Sequence, residues 1–135
     1  MTNSIKSKIV LTCLALVFLP LIVFSQNATP WTVPADAQAV KNPITASPDI
    51  LVVSETLFTS KCIRCHGAKG KGDGVAASGL STKPADLSSV RVQGQSDGAI
   101  YYKINTGRNE MAVYSKTFTD VQKWSLVHYI RTLKN

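Results

Sequence analysis

The segment SKCIRCHGAKGKGDG, residues 60–74, places two cysteines three positions apart and follows the second one with a histidine. Two thiols at this spacing can reach the two neighbouring vinyl groups of a haem and form thioethers with them. The histidine that follows is then held under the iron and can bind it through a ring nitrogen. The pattern therefore predicts one covalent haem c attached through Cys62 and Cys65, with His66 as the proximal ligand of the iron.

Other roles of the cysteine pair explain less of this segment. A thioredoxin-like redox site needs a βαβ pattern nearby, which the sequence lacks. A zinc site needs two more ligands at suitable spacing, and the only other histidine, His128, stands alone. A structural disulfide between Cys62 and Cys65 stays open as an alternative, but it leaves His66 without a role.

Met111 is the candidate for the second axial ligand, because it is the only methionine apart from Met1. A thioether at this place would give His/Met coordination, which raises the reduction potential and closes the iron to substrates. The alternatives are a gap-filling role of Met111 in the core, ligation by His128, and an open iron site. We favour Met111, because the apolar stripe of the last predicted helix leaves His128 pointing elsewhere.

The first 25 residues have the pattern of a secretory signal peptide. Lys6 and Lys8 precede an apolar run, residues 9–24, that is shorter than the roughly 20 residues of a typical membrane span. We expect cleavage before Gln26 and a periplasmic location, with an uncleaved membrane anchor as the alternative. Cys13 lies inside the apolar run and is expected to be removed with it.

The rest of the chain is predicted to be an arm followed by one helical domain. The arm, residues 26–48, is rich in proline and small residues and is expected to be irregular, with Trp31 pinning it to the domain. Residues 49–135 form the domain. Helix starts are predicted at residues 47–49, 96–97 and 119–122. No long alternating pattern indicates a strand, so the fold class is all-α, with long loops that need a large apolar cofactor to pack on.

Three segments resemble those of the class I monohaem c-type cytochromes, in the order in which that family has them. They are CIRCHGAKGKGDG, QSDGAIYYKINTGRNEM and FTDVQKWSLVHYIRTL, and the resemblance covers about residues 50–134. It is especially close to small exported cytochromes of Bacteroidetes-type bacteria, which carry a PW-x-VP…KNP arm. Here the arm has PWTVP and KNP at matching places.

The resemblance implies a cytochrome c fold, in which the first and last helices cross next to one haem. It implies that Ser54 and Phe58 pack against Leu126 and Tyr129, with Ser54 at a position where the family usually has glycine. It also implies that a proline carbonyl accepts the other N–H of the haem histidine, and Pro84 is the best match. The family usually has proline after the ligand methionine, where this chain has Ala112.

The predicted function is one-electron carriage rather than turnover of a substrate, because a His/Met haem has no open position. Without Lys6 and Lys8 of the predicted signal, 13 Lys and Arg stand against 8 Asp and Glu, a net charge of +5. This balance favours an acidic partner, such as an oxidase, a reductase or a quinol-oxidising complex. Nucleic acid is not an expected partner, and a membrane is expected only through partners or an uncleaved anchor. The alternatives are a haem enzyme or gas sensor in which Met111 dissociates, and a haem subunit held in a larger complex by its arm.

Two further sequence features bear on the site. The glycines of residues 67–79 are not a phosphate cradle, since they follow no strand and lack the P-loop pattern, and we expect them to let the backbone pass close to the haem. Basic residues flank both ligand segments and are expected to form one docking face around the haem edge. They are Lys61, Arg64, Lys69 and Lys71 beside the cysteines, and Lys103, Arg108 and Lys116 beside Met111.

Overall fold

The computed structural model describes residues 30–134, and within them helices form without any strand. The helices are, in chain order, α1 (Ala35–Ala39), α2 (Pro48–Lys61), α3 (Ile63–His66), α4 (Val90–Gln93), α5 (Asp97–Thr106) and α6 (Asp120–Thr132), with a 3-10 turn at Ala77–Gly79. The predicted signal peptide and the first four residues of the predicted arm lie outside the described residues. None of the helices in the described part of the chain has the length and apolar character of a membrane span.

The three predicted helix starts are confirmed, and each has a side-chain cap. The Ser47 hydroxyl accepts a hydrogen bond from the Ile50 N–H at the start of α2, and Ser96 caps α5 in the same way. At the start of α6, Thr119 and Gln122 form a reciprocal capping box. Because such caps satisfy orphan N–H groups locally, the helix starts can be predicted from a few residues of sequence.

The core lies where α2 crosses α6. Ser54 and Phe58 are buried on α2, and the Phe58 ring lies 5.0 Å from the Tyr129 ring of α6. Leu126, beside Tyr129 in this interface, is only 1% exposed. The Ser54 hydroxyl donates to the Ile50 carbonyl at 2.7 Å, so this buried polar group is satisfied within its own helix. The predicted crossing of the first and last long helices is present.

The arm is more ordered and more closely packed than predicted. Residues Ala35–Ala39 form the short helix α1, which packs on α5, and Val33 is buried. Gly98 of α5 makes this approach feasible, since a Cβ there would lie 2.1 Å from the Ala37 carbonyl oxygen. Residues 31–48 of the arm belong to the same compact unit as the rest of the domain.

Two short helices also lie where the sequence predicted no helix. Helix α3 continues from α2 through the cysteine motif after a break at Cys62, and α4 precedes α5. Four-residue helices have no sequence period of their own, and the pattern of apolar residues therefore does not reveal them.

Candidate functional site

The predicted haem-attachment residues lie on one helical turn. Cys62 is the C-cap of α2 and the N-cap of α3, and Cys65 and His66 end α3. The backbone N–H groups of Cys65 and His66 both donate to the Cys62 carbonyl, at 3.2 and 2.9 Å. Both thiols are free and partly buried. The turn therefore presents the two thiols and the imidazole from a single rigid element.

The glycine-rich loop folds back on this turn. The three carbonyls of Arg64, Cys65 and His66 accept hydrogen bonds from the N–H groups of Ala76, Gly74 and Gly72, at 2.9, 3.1 and 2.8 Å. The loop thereby satisfies the carbonyls that a helix end leaves open. Two of its glycines, Gly72 and Gly74, approach other backbone closely, since a Cβ there would lie 2.3 Å from the carbonyl oxygens of Pro84 and Arg64.

Gly72 illustrates this close approach. Its φ is +73°, which favours glycine, and a Cβ at this position would lie 2.3 Å from the Pro84 carbonyl oxygen. A hydrogen bond from the Leu87 N–H to the Gly70 carbonyl, at 2.7 Å, also joins the loop to the segment that follows residue 84. The segment around residue 85 is thus positioned against the histidine by the loop.

The prediction that the Pro84 carbonyl accepts from the histidine is wrong by one residue. The Nδ1 atom of His66 lies 3.2 Å from the carbonyl oxygen of Ala85. The Pro84 carbonyl instead faces Gly72. The predicted kind of contact is present, and it orients the imidazole. Because the Nδ1–H group donates a hydrogen bond to a carbonyl, the Nε2 atom of His66 keeps its lone pair for a metal.

The electrostatic environment suits a metal-binding histidine better than a redox-active cysteine pair. Burial lowers the pKa of His66, although the hydrogen bond to the Ala85 carbonyl acts in the opposite direction. The imidazole is therefore neutral at pH 7, as a metal ligand must be. Burial, followed by the charge of Cys65, raises the pKa of Cys62 to about 12. Redox-active Cys-x-x-Cys pairs need the opposite shift.

Met111 lies in a tight hairpin between α5 and α6. The N–H of Met111 donates to the Arg108 carbonyl at 2.9 Å, and the N–H of Arg108 donates to the Met111 carbonyl at 3.1 Å. Asn109, between them, has a φ of +54°, which asparagine tolerates better than most residues. Met111 itself is partly buried.

The side chains next to Met111 tie the hairpin to the segments that flank His66. The Glu110 carboxylate accepts from the N–H groups of Ser81 and Thr82, at 2.7 and 3.2 Å. The Tyr114 hydroxyl donates to the Lys61 carbonyl at 3.2 Å, immediately before the cysteine motif. These contacts connect the methionine segment to residues 81–82 and to Lys61, which precedes the cysteine motif. Neither Glu110 nor Tyr114 was predicted as a site residue, because both contacts join residues far apart in the chain.

The structure does not support three alternatives that the sequence raised: ligation by His128, a zinc site and a disulfide. His128, the rival ligand, has its Nε2 atom 2.7 Å from the Ile44 carbonyl oxygen and so contacts the arm. In the described residues, no group of three His, Cys, Asp or Glu side chains is placed to hold a metal ion such as zinc. Cys62 and Cys65 are not joined by a disulfide.

The residues present fit a haem c. Two free thiols and a neutral histidine with an oriented ring lie on one turn, which is the donor set that thioether attachment and axial ligation require. Cys62, Cys65 and His66 would hold the group, and Tyr114 connects the Met111 hairpin to Lys61, the residue before Cys62.

The predicted docking face is only partly available. Lys61, Arg64, Lys69 and Lys116 are exposed. The Lys71 ammonium donates to the Ser88 hydroxyl at 2.6 Å, and the Lys103 ammonium donates to the Gln95 side chain. Lys103 and Arg108 also lie over the Trp31 ring, 5.6 and 5.5 Å from its centroid. Trp31 thus pins the arm as expected, through two of the cations expected on the face.

Comparisons with known proteins point to one family. The family model described as cytochrome c oxidase, cbb3-type, subunit III matches residues 53–130. Among solved structures, the chain is similar to the reducing HAO-like protein complex of Kuenenia stuttgartiensis, with 27% sequence identity and a TM-score of 0.63. This likeness covers 71% of the chain and 50% of that one, so the chain spans about half the length of this relative.

A second similar structure is the c-type cytochrome KustC0563, at 25% identity and a TM-score of 0.54. The match covers 61% of this chain and 98% of that one. No curated protein matches the chain. The helical, strand-free architecture of residues 30–134 matches the c-type cytochrome fold of these neighbours, which confirms the predicted all-α class.

Proposed function

The chain belongs to the c-type cytochrome family described as cytochrome c oxidase, cbb3-type, subunit III, and on this premise we propose that it is an exported one-electron carrier. A c-type cytochrome domain binds haem c covalently and transfers electrons. The finer proposal is a single haem attached through Cys62 and Cys65, with His66 and Met111 as axial ligands. A carrier of this kind turns over no substrate of its own.

The observation that carries the proposal is the environment of His66. The Ala85 carbonyl fixes its tautomer, and the loop of residues 67–76 holds the turn on which it lies. When bound, the haem supplies reversible one-electron exchange between ferric and ferrous iron. The chain itself holds the imidazole in one orientation, which keeps structural change during electron exchange small.

Met111 is the second ligand in this proposal. Its hairpin is linked to residues 81–82 on one side and to Lys61 on the other, and both of these segments lead directly into the residues around His66. A thioether in this position would raise the reduction potential and exclude small ligands from the iron. These two effects favour electron transfer over reactions with oxygen or peroxide.

The partners that we propose are redox proteins with acidic docking surfaces in the periplasm, such as an oxidase, a reductase or a quinol-oxidising complex. The exposed cations near the cysteine motif and Met111 support this, and one similar structure is itself a complex of redox proteins. Charge of this kind raises the rate of encounter more than the final affinity. The basic, then apolar, pattern of residues 1–25 supports export.

A second candidate is a haem subunit that works inside a larger complex. The family description names a subunit, and one similar structure is a complex. The described part of the arm does not support a role in holding the domain to another protein, since residues from Trp31 onward pack on the same domain. The native mass of the protein isolated from its own cells distinguishes the two candidates: a mass of about one chain supports the free carrier.

Carbon monoxide binding to the reduced protein tests the carrier proposal. The wild-type protein is compared with Met111→Ala and with Val113→Ala, a change to an exposed residue of the same hairpin. We expect the wild type and Val113→Ala to ignore carbon monoxide and Met111→Ala to bind it. A wild type that binds carbon monoxide readily would instead support a haem enzyme or gas sensor.

A further inference from the structure

Glu110 joins the methionine hairpin to the segment that orients the histidine. Its carboxylate accepts two backbone N–H groups, from Ser81 at 2.7 Å and from Thr82 at 3.2 Å. These residues precede Ala85, whose carbonyl faces His66, by only three and four positions. The Glu110 carboxylate thus connects the hairpin that carries Met111 to the segment whose carbonyl orients His66.

The other restraints on this segment lie on either side of Glu110. Arg108 lies over the Trp31 ring, and the N–H groups of Tyr114 and Ser115 donate to carbonyls at the end of α5. Residues 107–118 contain no proline, and Glu110, Ala112 and Val113 are all exposed. The backbone hydrogen bonds between Arg108 and Met111 close the hairpin on itself without connecting it to another segment. The contact of Glu110 is therefore a connection between this turn and residues 81–85, and it lies one residue from Met111.

We propose that Glu110 is a positioning residue that holds the Met111 hairpin against residues 81–85 and so keeps the methionine on the iron. This inference rests on the proposed His66/Met111 ligation. A ligand from solution can bind the iron only in the fraction of molecules whose hairpin is open. Its apparent affinity therefore measures that fraction.

Imidazole binding to the oxidised protein, with haem attached, tests the proposal. The variants are Glu110→Ala, which removes both acceptor oxygens, and Glu110→Gln, which keeps one. Glu55→Ala and Glu55→Gln are matched controls, because Glu55 is an exposed glutamate on α2. We expect imidazole to bind about fivefold more tightly to Glu110→Ala, about twofold more tightly to Glu110→Gln, and unchanged to both controls.

The far-red sulfur-to-iron absorption band of each variant separates this proposal from the proposed function. If the wild type shows the band and both Glu110 variants bind imidazole as the wild type does, Glu110 does not position the hairpin and the carrier proposal is untouched. If the wild type lacks the band, Met111 is not a ligand and both proposals fail. If Glu110→Ala does not fold, imidazole binding to Glu110→Gln tests the proposal alone: binding about twofold tighter than in the wild type supports it, and unchanged binding contradicts it.

Discussion

The two segments that carry the proposed iron ligands are held in different ways. Around His66, three successive carbonyls accept backbone N–H groups from the glycine-rich loop, and a fourth backbone hydrogen bond joins that loop to residue 87. The Met111 hairpin closes on itself through backbone hydrogen bonds between Arg108 and Met111, and backbone hydrogen bonds of residues 114 and 115 join its far end to α5. Its connections to residues 81–82 and to Lys61 are made by the side chains of Glu110 and Tyr114.

This difference indicates which ligand is the more firmly held. Backbone hydrogen bonds order no flexible side chain, whereas an exposed carboxylate or a long side chain must lose conformational freedom to make its contact. We call the turn around His66 with its glycine-rich loop the histidine side, and the Met111 hairpin the methionine side. We infer that the histidine side remains formed until the domain unfolds, whereas the methionine side opens locally at lower free energy.

The largest effect is expected from Gly72→Ala on the histidine side. A Cβ would lie 2.3 Å from the Pro84 carbonyl oxygen, in a residue with a φ of +73°. Strain and displacement of the loop should lower the free energy of unfolding by about 3 kcal/mol, measured by chemical denaturation. Gly79→Ala is the control, since no atom lies within 4 Å of its Cβ. Equal losses in both variants would contradict the role of the loop.

A smaller effect is expected from Trp31→Ala, which acts on the methionine side. Lys103 and Arg108 lie over the Trp31 ring, and Arg108 closes the hairpin with Met111. Loss of these contacts should lower the free energy of unfolding by about 1–2 kcal/mol and increase imidazole binding. The exposed neighbour Thr32, changed to alanine, serves as the control. If imidazole binding stays the same in Trp31→Ala, the arm does not support the hairpin.

The smallest effect is expected from Tyr114→Phe. The change removes the hydrogen bond from the hydroxyl to the Lys61 carbonyl but keeps the ring stacked on Phe118, 4.7 Å away. We expect a loss of about 0.5 kcal/mol in stability and imidazole binding about twofold tighter. Tyr102→Phe, on α5, is the matched control. An imidazole affinity equal in both variants would remove Tyr114 from the set of hairpin restraints.

The features that could be predicted from sequence are local ones. The caps at Ser47, Ser96 and Thr119 act within one helical turn, so each was visible in four residues or fewer. The two cysteines and the histidine of the motif likewise lie on one turn. The crossing of α2 and α6 was expected from the family resemblance, and the contact of Phe58 with Tyr129 confirms it.

The features that were missed depend on contacts between distant residues. Which carbonyl faces His66 depends on how the loop of residues 67–87 folds back, and Ala85 rather than Pro84 occupies that place. Helix α1 lies between Pro34 and Pro43, which favoured an irregular arm, but packing on α5 at Gly98 stabilises it. Sequence propensities do not include such tertiary packing.

The charge pattern was likewise only partly informative. A count of lysines and arginines predicts a basic face, but it does not show which side chains have partners within the chain. Lys71 is bound to Ser88 and Lys103 to Gln95. The docking face that we propose therefore rests on the exposed cations.

Thermal unfolding of the oxidised protein, followed by two signals together, tests most directly whether the Met111 hairpin opens before the turn around His66. The far-red sulfur-to-iron band reports methionine ligation, and the far-ultraviolet circular dichroism reports the helices. We predict that the band is lost at a lower temperature than the helical signal, because the Met111 hairpin opens before the turn around His66 unfolds. One coincident transition, or a wild type without the band, would contradict this account.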